Sequence, residues 1–153
     1  MKLRQSPRLN DFPYAGPFAY HLTFVTRGRL PLFKTEEAVR LCLEALEAAC
    51  QRYDFESLAY CFMPDHVHLL LAGREGSSLW DFARHFKQVS GYKFKRECGA
   101  RLWQISYYDH VVRRDEDVVQ IAAYIWDNPV RTGLVENRLD YAFSGPRGLM
   151  GQA

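Results

Sequence analysis

The sequence predicts an α+β fold, and three observations support that prediction. Short stretches of alternating polar and apolar residues, typical of strands, are separated by longer stretches whose apolar residues recur at helical spacing. The chain has 153 residues and is 48% hydrophobic, which is enough to bury a substantial core. Neither a Gly/Ser-rich linker nor an internal repeat divides it, so we expect one domain over residues 1–153.

The first half of the chain predicts strand, helix, strand and a second strand. Residues 18–27 alternate as a strand, and 55–63 form another apolar, aromatic-rich run. Pro64 and Asp65 then make a tight connection to a strand that begins at His66. Between the first two strands, 35–53 reads as a helix with one apolar face: Val39, Cys42, Leu43, Leu46, Ala49, Cys50 and Tyr53.

A second long helix is expected to begin near Ser77 or Ser78. Ser78 and Asp81 have the spacing of a capping box, in which each end satisfies a free backbone N–H. The helix buries a stripe of apolar residues: Leu79, Phe82, Ala83, Phe86 and Val89. A fourth strand follows at about 103–113.

The last predicted element is a short helix with Asp115 as its N-cap, ending near Asn128 because Pro129 disfavours helix before it. Its apolar stripe comprises Val118, Ile121, Ala122 and Ile125. The full order is β-α-β-β-α-β-α. That order is typical of a ferredoxin-like antiparallel sheet with helices on one face, here followed by an added C-terminal helix.

His66 and His68 lie two residues apart at the start of an apolar run. In a strand such residues point to the same face, so the two imidazoles would stand side by side. Histidine is the commonest metal ligand, and the pair would make half of a metal site. Histidines hydrogen-bonded within a strand would show the same pattern, so the motif leaves both interpretations open.

Tyr124 and Asn128 are four residues apart on the last helix and therefore lie on one side of it. Taken alone, Tyr124 would pack at the edge of the core with its hydroxyl in water. Asn128 would then only cap the end of the helix.

Charge and cysteine content limit the classes of function. A net charge of +2 is too small to indicate nucleic-acid binding, but the second helix interleaves aromatic side chains with the basic residues Arg84, Lys87, Lys93, Lys95 and Arg96. These are either DNA contacts or an ordinary solvated face. The four cysteines lack metal-site spacing, and neither a signal peptide nor a membrane-spanning run is present, so we expect no membrane partner and a cytoplasmic location.

Several motifs together resemble one family. They are the Pro-Asp-His-Val-His-Leu-Leu run at 64–70, the Trp-Gln, Tyr-Asp-His and Arg residues between 103 and 113, the stretch 124–135, and the aromatic-and-serine tail at 141–145. In this order and spacing they resemble the single-tyrosine HUH transposases, and within them the REP-associated tyrosine transposases. The resemblance covers about 18–144.

The resemblance implies the HUH transposase fold and a set of roles. Tyr124 would be the nucleophile, and His66, His68 and Asn128 would bind a divalent metal. Tyrosine attack on single-stranded DNA would leave a 5′-phosphotyrosine and a free 3′ hydroxyl that can rejoin another end. The substrate would be a REP-like palindrome that forms a hairpin, handled by a monomer or a homodimer.

The chemistry accounts for these residue types. A phenol has an ordinary pKa near 10, so it needs help as a nucleophile at neutral pH. A divalent ion would polarise the scissile phosphate. The family favours Mg²⁺ or Mn²⁺, and two imidazole ligands lean towards Mn²⁺.

Other assignments remain open. Asp65 could orient a histidine ligand, and His110 could be a rival third ligand or a supporting partner. Arg113 and Arg131 join the candidate DNA contacts. The chain could also be a domesticated hairpin-binding module that no longer cuts, or a hydrolase that uses His66, His68 and His110 to activate water.

Overall fold

The computed structural model describes residues 12, 14–113 and 116–151. Its centre is a five-stranded sheet in which every neighbouring pair of strands is antiparallel, in the order β4-β1-β3-β2-β5. The strands are β1 (Ala19–Val25), β2 (Phe55–Met63), β3 (His66–Gly73), β4 (Tyr108–Val112) and β5 (Ser144–Gly145).

Two long helices connect the strands, and shorter ones follow. They are α1 (Glu36–Tyr53), α2 (Leu79–Cys98), α3 (Val118–Trp126), α4 (Asn128–Arg131) and α5 (Arg147–Met150). The first seven elements confirm the predicted order β-α-β-β-α-β-α, and the first four strands have the ferredoxin-like arrangement. Among the described helices, none is long and apolar enough to cross a membrane.

Local side chains define the ends of the long helices. The Thr35 side chain accepts a hydrogen bond from the Ala38 backbone N–H at 3.2 Å, and Ser78 accepts one from Asp81 N–H at 3.3 Å. Each bond satisfies an N–H that the first helical turn leaves free. α2 ends at Gly99, whose φ of +73° is a conformation that glycine adopts without steric cost.

The two faces of the sheet carry different layers. α1 and α2 cover one face, where they pack on alternate residues of β3: Val67, Leu69 and Leu71. α3 covers the opposite face and packs on a smaller cluster that includes Leu70 of β3 and Cys61 of β2. Because side chains alternate along a strand, His66 and His68 lie on the α3 face.

Two predicted boundaries were wrong. The fourth strand occupies only Tyr108–Val112, while Trp103 forms an isolated bridge with Thr26 and donates its indole N–H to Ser90 Oγ at 2.8 Å. The final helix is capped by Asp117, whose carboxylate accepts from Val119 N–H at 2.8 Å. The predicted cap, Asp115, lies outside the described residues.

The predicted C-terminal end of the last helix, near Asn128, lies close to the observed end of α3. α3 ends at Trp126, and the chain starts a second short helix at Asn128. Pro129 lies in the first turn of α4, where its missing N–H leaves no helical hydrogen bond unmade.

Candidate active site

His66 and His68 lie side by side at the start of β3, with ring centroids 4.9 Å apart and planes nearly perpendicular. The neighbouring strand β1 pairs Thr23 with His68 and Val25 with His66. His68 is buried and His66 is partly exposed. Both imidazoles therefore lie at the start of β3 on the α3 face of the sheet.

His66 is oriented by the residue before it. Its Nδ1 lies 2.7 Å from Asp65 Oδ1, and because an ionised carboxylate only accepts hydrogen bonds, Nδ1 carries the proton. The lone pair of Nε2 is then directed elsewhere. Nε2 lies 3.3 Å from the side-chain amide of Asn128, which joins β3 to α4 across 62 positions of sequence.

His68 is oriented by β1. Its Nδ1 lies 3.0 Å from His21 Nε2 and 3.1 Å from Thr23 Oγ1. When Nδ1 donates to these groups, Nε2 keeps its lone pair for a ligand. The sequence analysis did not identify His21 or Thr23, because only strand pairing brings β1 beside β3.

Burial favours the neutral form of His21, His66 and His68. It is the main cause of the lowered pKa of His66, outweighing the opposing effect of the Asp65 carboxylate. The pKa of His68 lies well below its ordinary value, first through burial and then through the neighbouring His21. Burial likewise lowers the pKa of His21 to about 4. Neutral imidazoles are the form that binds metal ions.

Tyr124 lies on α3, with 48% of its side chain exposed. The Arg131 guanidinium covers its ring at 3.8 Å from the centroid. The tyrosine borders an open cleft of about 620 Å³, which reaches β1 and β4 and is also lined by His21, His110, Glu116, Asp117, Gln120 and Ile121. We refer to it as the tyrosine cleft.

His110 occupies a different place from the histidine pair. Its Nε2 lies 2.9 and 3.0 Å from the two Glu116 carboxylate oxygens. In the sheet it pairs with His21 of β1, so β1 separates it from β3. In the part of the chain that the structure describes, three or more His, Cys, Asp or Glu side chains nowhere form a cluster suited to a metal.

The residues predicted as ligands do fit a divalent ion in their chemistry. His66 and His68 each have one nitrogen held by a partner and the other available, and their low pKa values favour the unprotonated form. Rotating the Asn128 amide by half a turn exchanges its nitrogen for its oxygen at 3.3 Å from His66 Nε2. Two imidazole nitrogens and one amide oxygen would suit Mn²⁺ better than Mg²⁺, which prefers oxygen ligands.

The C-terminal segment holds the helices that carry Tyr124 and Asn128. Arg138 donates two hydrogen bonds to the Asp127 carboxylate, at 2.8 and 2.7 Å. Trp126 Nε1 donates to Gly145 O at 2.9 Å, which anchors the end of α3 to β5. The turn between α3 and α4 is thus fixed on both sides.

The basic residues proposed from the sequence do not share one surface. Lys93 lies 3.9 Å from Glu44, and Arg96 lies 3.4 Å from Glu97. Arg113 is exposed at the end of β4, and Arg131 lies over Tyr124. A shared groove contains the remaining three: Arg84, Lys87 and Lys95.

Comparison with known proteins agrees with this architecture. The model of the family described as transposase IS200 like matches residues 16–128. A Haemophilus influenzae protein assigned as a REP-associated tyrosine transposase is 30% identical over 148 residues, which covers 88% of this chain and 81% of that protein. The REP-associated tyrosine transposase of Escherichia coli K12 is 31% identical over 91 residues, covering 59% of this chain and 53% of that one.

Solved structures show the same likeness. A REP-associated tyrosine transposase bound to a REP hairpin superposes with a TM-score of 0.75 at 25% identity, covering 96% of this chain and 88% of its own. A Deinococcus radiodurans protein assigned as a transposase gives a TM-score of 0.55 at 27% identity, covering 77% and 95%. The chain belongs to the IS200-like transposase family, and within it to the REP-associated tyrosine transposases.

Proposed function

We propose that this transposase nicks and rejoins single-stranded, hairpin-forming DNA through a covalent bond between Tyr124 and a 5′ phosphate. The most direct support is the distance of 3.3 Å between the Asn128 side-chain amide and His66 Nε2. This contact brings α4, and with it the preceding helix α3 that carries Tyr124, next to β3, which carries both histidines. The relative bound to a REP hairpin makes a hairpin of this kind the favoured substrate.

In this cleavage reaction one bond to phosphorus forms and another breaks. The phenol oxygen of Tyr124 forms a bond to phosphorus, and the bond from phosphorus to the 3′ oxygen breaks. The phenol loses its proton to solvent, and the departing 3′ oxygen gains one. The phosphotyrosine bond conserves the free energy of the broken phosphodiester. A DNA 3′ hydroxyl can therefore attack it, release Tyr124 and join two DNA ends.

His66, His68 and Asn128 would hold the divalent ion, for which we propose Mg²⁺ or Mn²⁺. When bound, it would polarise the scissile phosphate and stabilise charge on its oxygens. Asp65 accepts from Nδ1 of His66 and so fixes its tautomer, while His21 and Thr23 lie within hydrogen-bonding distance of His68 Nδ1 and orient that ring. His66 and Asn128 of the same protomer approach to 3.3 Å, and we propose that the protein acts as a monomer or a homodimer. The DNA substrate and four free cysteines favour action in the cytoplasm.

The test is incubation of labelled hairpin DNA with a single-stranded extension, in Mn²⁺ or Mg²⁺, followed by a denaturing gel. We expect a protein–DNA band with the wild type and with Tyr92→Phe, which changes another exposed tyrosine far along α2. Tyr124→Phe, His66→Ala and EDTA should each abolish the band.

Two results would point to other functions. Tight hairpin binding without a covalent band would indicate a domesticated binding module. Cleavage that persists in Tyr124→Phe and leaves a free 5′ phosphate would indicate a hydrolase that activates water. The position of His110, hydrogen-bonded to Glu116 and one strand away from β3, argues against the three-histidine version of that hydrolase.

A further inference from the structure

A basic groove runs along α2 on the face of the sheet opposite the tyrosine cleft. It consists of two clefts, of about 460 and 320 Å³, which share Lys87, Gln88 and Ile105 and are therefore continuous. One wall is α2 and the other is the segment 101–107 that leads into β4. We define the basic groove by six residues: Trp80, Arg84, Lys87, Lys95, Arg101 and Ile105.

The groove concentrates positive charge that the molecule as a whole lacks. Four cations line it, and among the described residues that line it Asp81 is the one acid. Lys87 is committed to structure, since its ammonium donates to the carbonyl oxygens of Gln104 at 2.8 Å and Ile105 at 2.5 Å. Arg84 lies 3.6 Å from Asp81, but both side chains are exposed, so the cations that can reach a ligand are Arg84, Lys95 and Arg101.

The apolar side chains of the groove are unusually exposed. Ile105 is 86% exposed and Trp80 is 44% exposed, although the sequence pattern of α2 predicts mainly buried aromatic residues. Cations beside open apolar surfaces suit single-stranded nucleic acid, whose phosphates meet the charges and whose unpaired bases can stack. In a duplex the base faces are already stacked on each other.

The groove and the tyrosine cleft both reach the edge of the sheet formed by β4. Tyr107, which lines the groove, immediately precedes β4, and His110 in β4 lines the tyrosine cleft on the other face. Three residues of strand span about 10 Å. β4 is the outermost strand on this side of the described sheet, so a DNA strand can pass around it from one surface to the other.

We propose that the basic groove binds the single-stranded DNA next to the hairpin and directs it around β4 to Tyr124. This inference rests on the proposed function. Arg84, Lys95 and Arg101 contact successive phosphates, and Ile105 and Trp80 contact bases. The groove thereby contributes affinity for the unpaired flank, separately from whatever surface binds the stem.

The test compares two labelled hairpins by fluorescence anisotropy in EDTA, one blunt and one with a single-stranded extension. The triple variant R84Q/K95Q/R101Q should bind the extended hairpin about 10- to 100-fold more weakly than the wild type at 0.1 M salt, and the slope of log K against log salt should fall by about 2. The blunt hairpin should bind the triple variant and the wild type equally.

The matched control is K93Q/R96Q, which removes charge from the same helix outside the groove, where Glu44 and Glu97 already accompany these residues. It should leave both affinities nearly unchanged. Equal losses on the two hairpins would place the stem in the groove and overturn the proposal, as would equal losses in the triple variant and the control. An unchanged affinity in the triple variant would also overturn it.

Tryptophan fluorescence gives an independent readout. Trp103 also lines the groove but is only 5% exposed, and Trp126 is 2% exposed, so quenching by an oligothymidine should come mainly from Trp80, and Trp80→Phe should remove most of it. Undiminished quenching in Trp80→Phe would contradict the proposed contact between Trp80 and the bases. Measuring covalent adduct formation on the same preparations separates the two proposals. If Tyr124 forms the adduct but the groove variants bind DNA normally, only the proposed role of the basic groove is rejected.

Discussion

At His68, the side chains that orient the ring lie in another strand. His21, 47 positions earlier, and Thr23 both lie within hydrogen-bonding distance of Nδ1. His66 instead depends on its immediate neighbour Asp65. One ligand is thus oriented locally and the other by strand pairing, so they should respond to different substitutions.

We expect the pair His21→Leu and Thr23→Val, made together, to weaken Mn²⁺ binding about 10- to 100-fold, because His68 loses the partners that fix its ring. Isothermal titration calorimetry measures the affinity. His110→Gln is the matched control, since it changes a histidine of the same sheet face that contacts Glu116 instead. An unchanged affinity in the double variant would show that β1 does not orient the ligand.

Among the secondary-structure elements, the turn between α3 and α4 sets the relative position of Tyr124 and Asn128. Asp127 lies in this turn, and its carboxylate accepts two hydrogen bonds from Arg138. The side chains of the pair are 38% and 19% exposed, so solvent weakens but does not remove the interaction. The same turn separates Tyr124 from Asn128.

Arg138→Gln should lower the free energy of unfolding by about 1 kcal/mol and slow covalent adduct formation at saturating DNA, because the turn loses a bidentate support. Chemical denaturation and single-turnover gels measure the two effects. Arg40→Gln breaks an exposed pair with Glu44 on α1 and should change stability by less than about 0.5 kcal/mol. If Arg138→Gln and Arg40→Gln had the same stability and the same rate of adduct formation, Arg138 would not be needed to hold the site.

At the scale of the whole molecule, the buried histidines should make the protein sensitive to acid. The folded pKa of His21 is about 4, below the ordinary value near 6.5 that applies in the unfolded chain. The unfolded chain therefore binds protons more readily between these two values. The stability associated with the neutral imidazole is complete above pH 6.5 and is lost as pH falls towards 4.

We expect the free energy of unfolding, measured by urea denaturation in EDTA, to fall as pH is lowered from 7 to 5. His21→Gln should show a shallower fall over the same range, because it lacks one of the groups that protonate on unfolding. If both proteins gave the same slope, protonation of His21 would not contribute to acid unfolding.

Much of the fold followed from local patterns. The apolar, aromatic-rich run at 55–63 and the apolar spacing of 35–53 predicted β2 and α1 almost to the residue. The fourth strand was predicted too long because residues near Trp103 have strand-like composition but pack their side chains elsewhere, as the bond from Trp103 to Ser90 shows. β5 has only two residues and gives no periodic signal.

Local sequence patterns are sufficient to predict the element order, the shared face of His66 and His68, and the spacing of Tyr124 and Asn128, because each depends on residues a few positions apart. Three further features depend on the folded structure: Asn128 contacts His66, His21 and Thr23 orient His68, and Lys93 and Arg96 lie outside the basic groove. The physical reason is that these contacts depend on strand order and on which sheet face each helix covers. Both are set by packing between segments far apart in the chain.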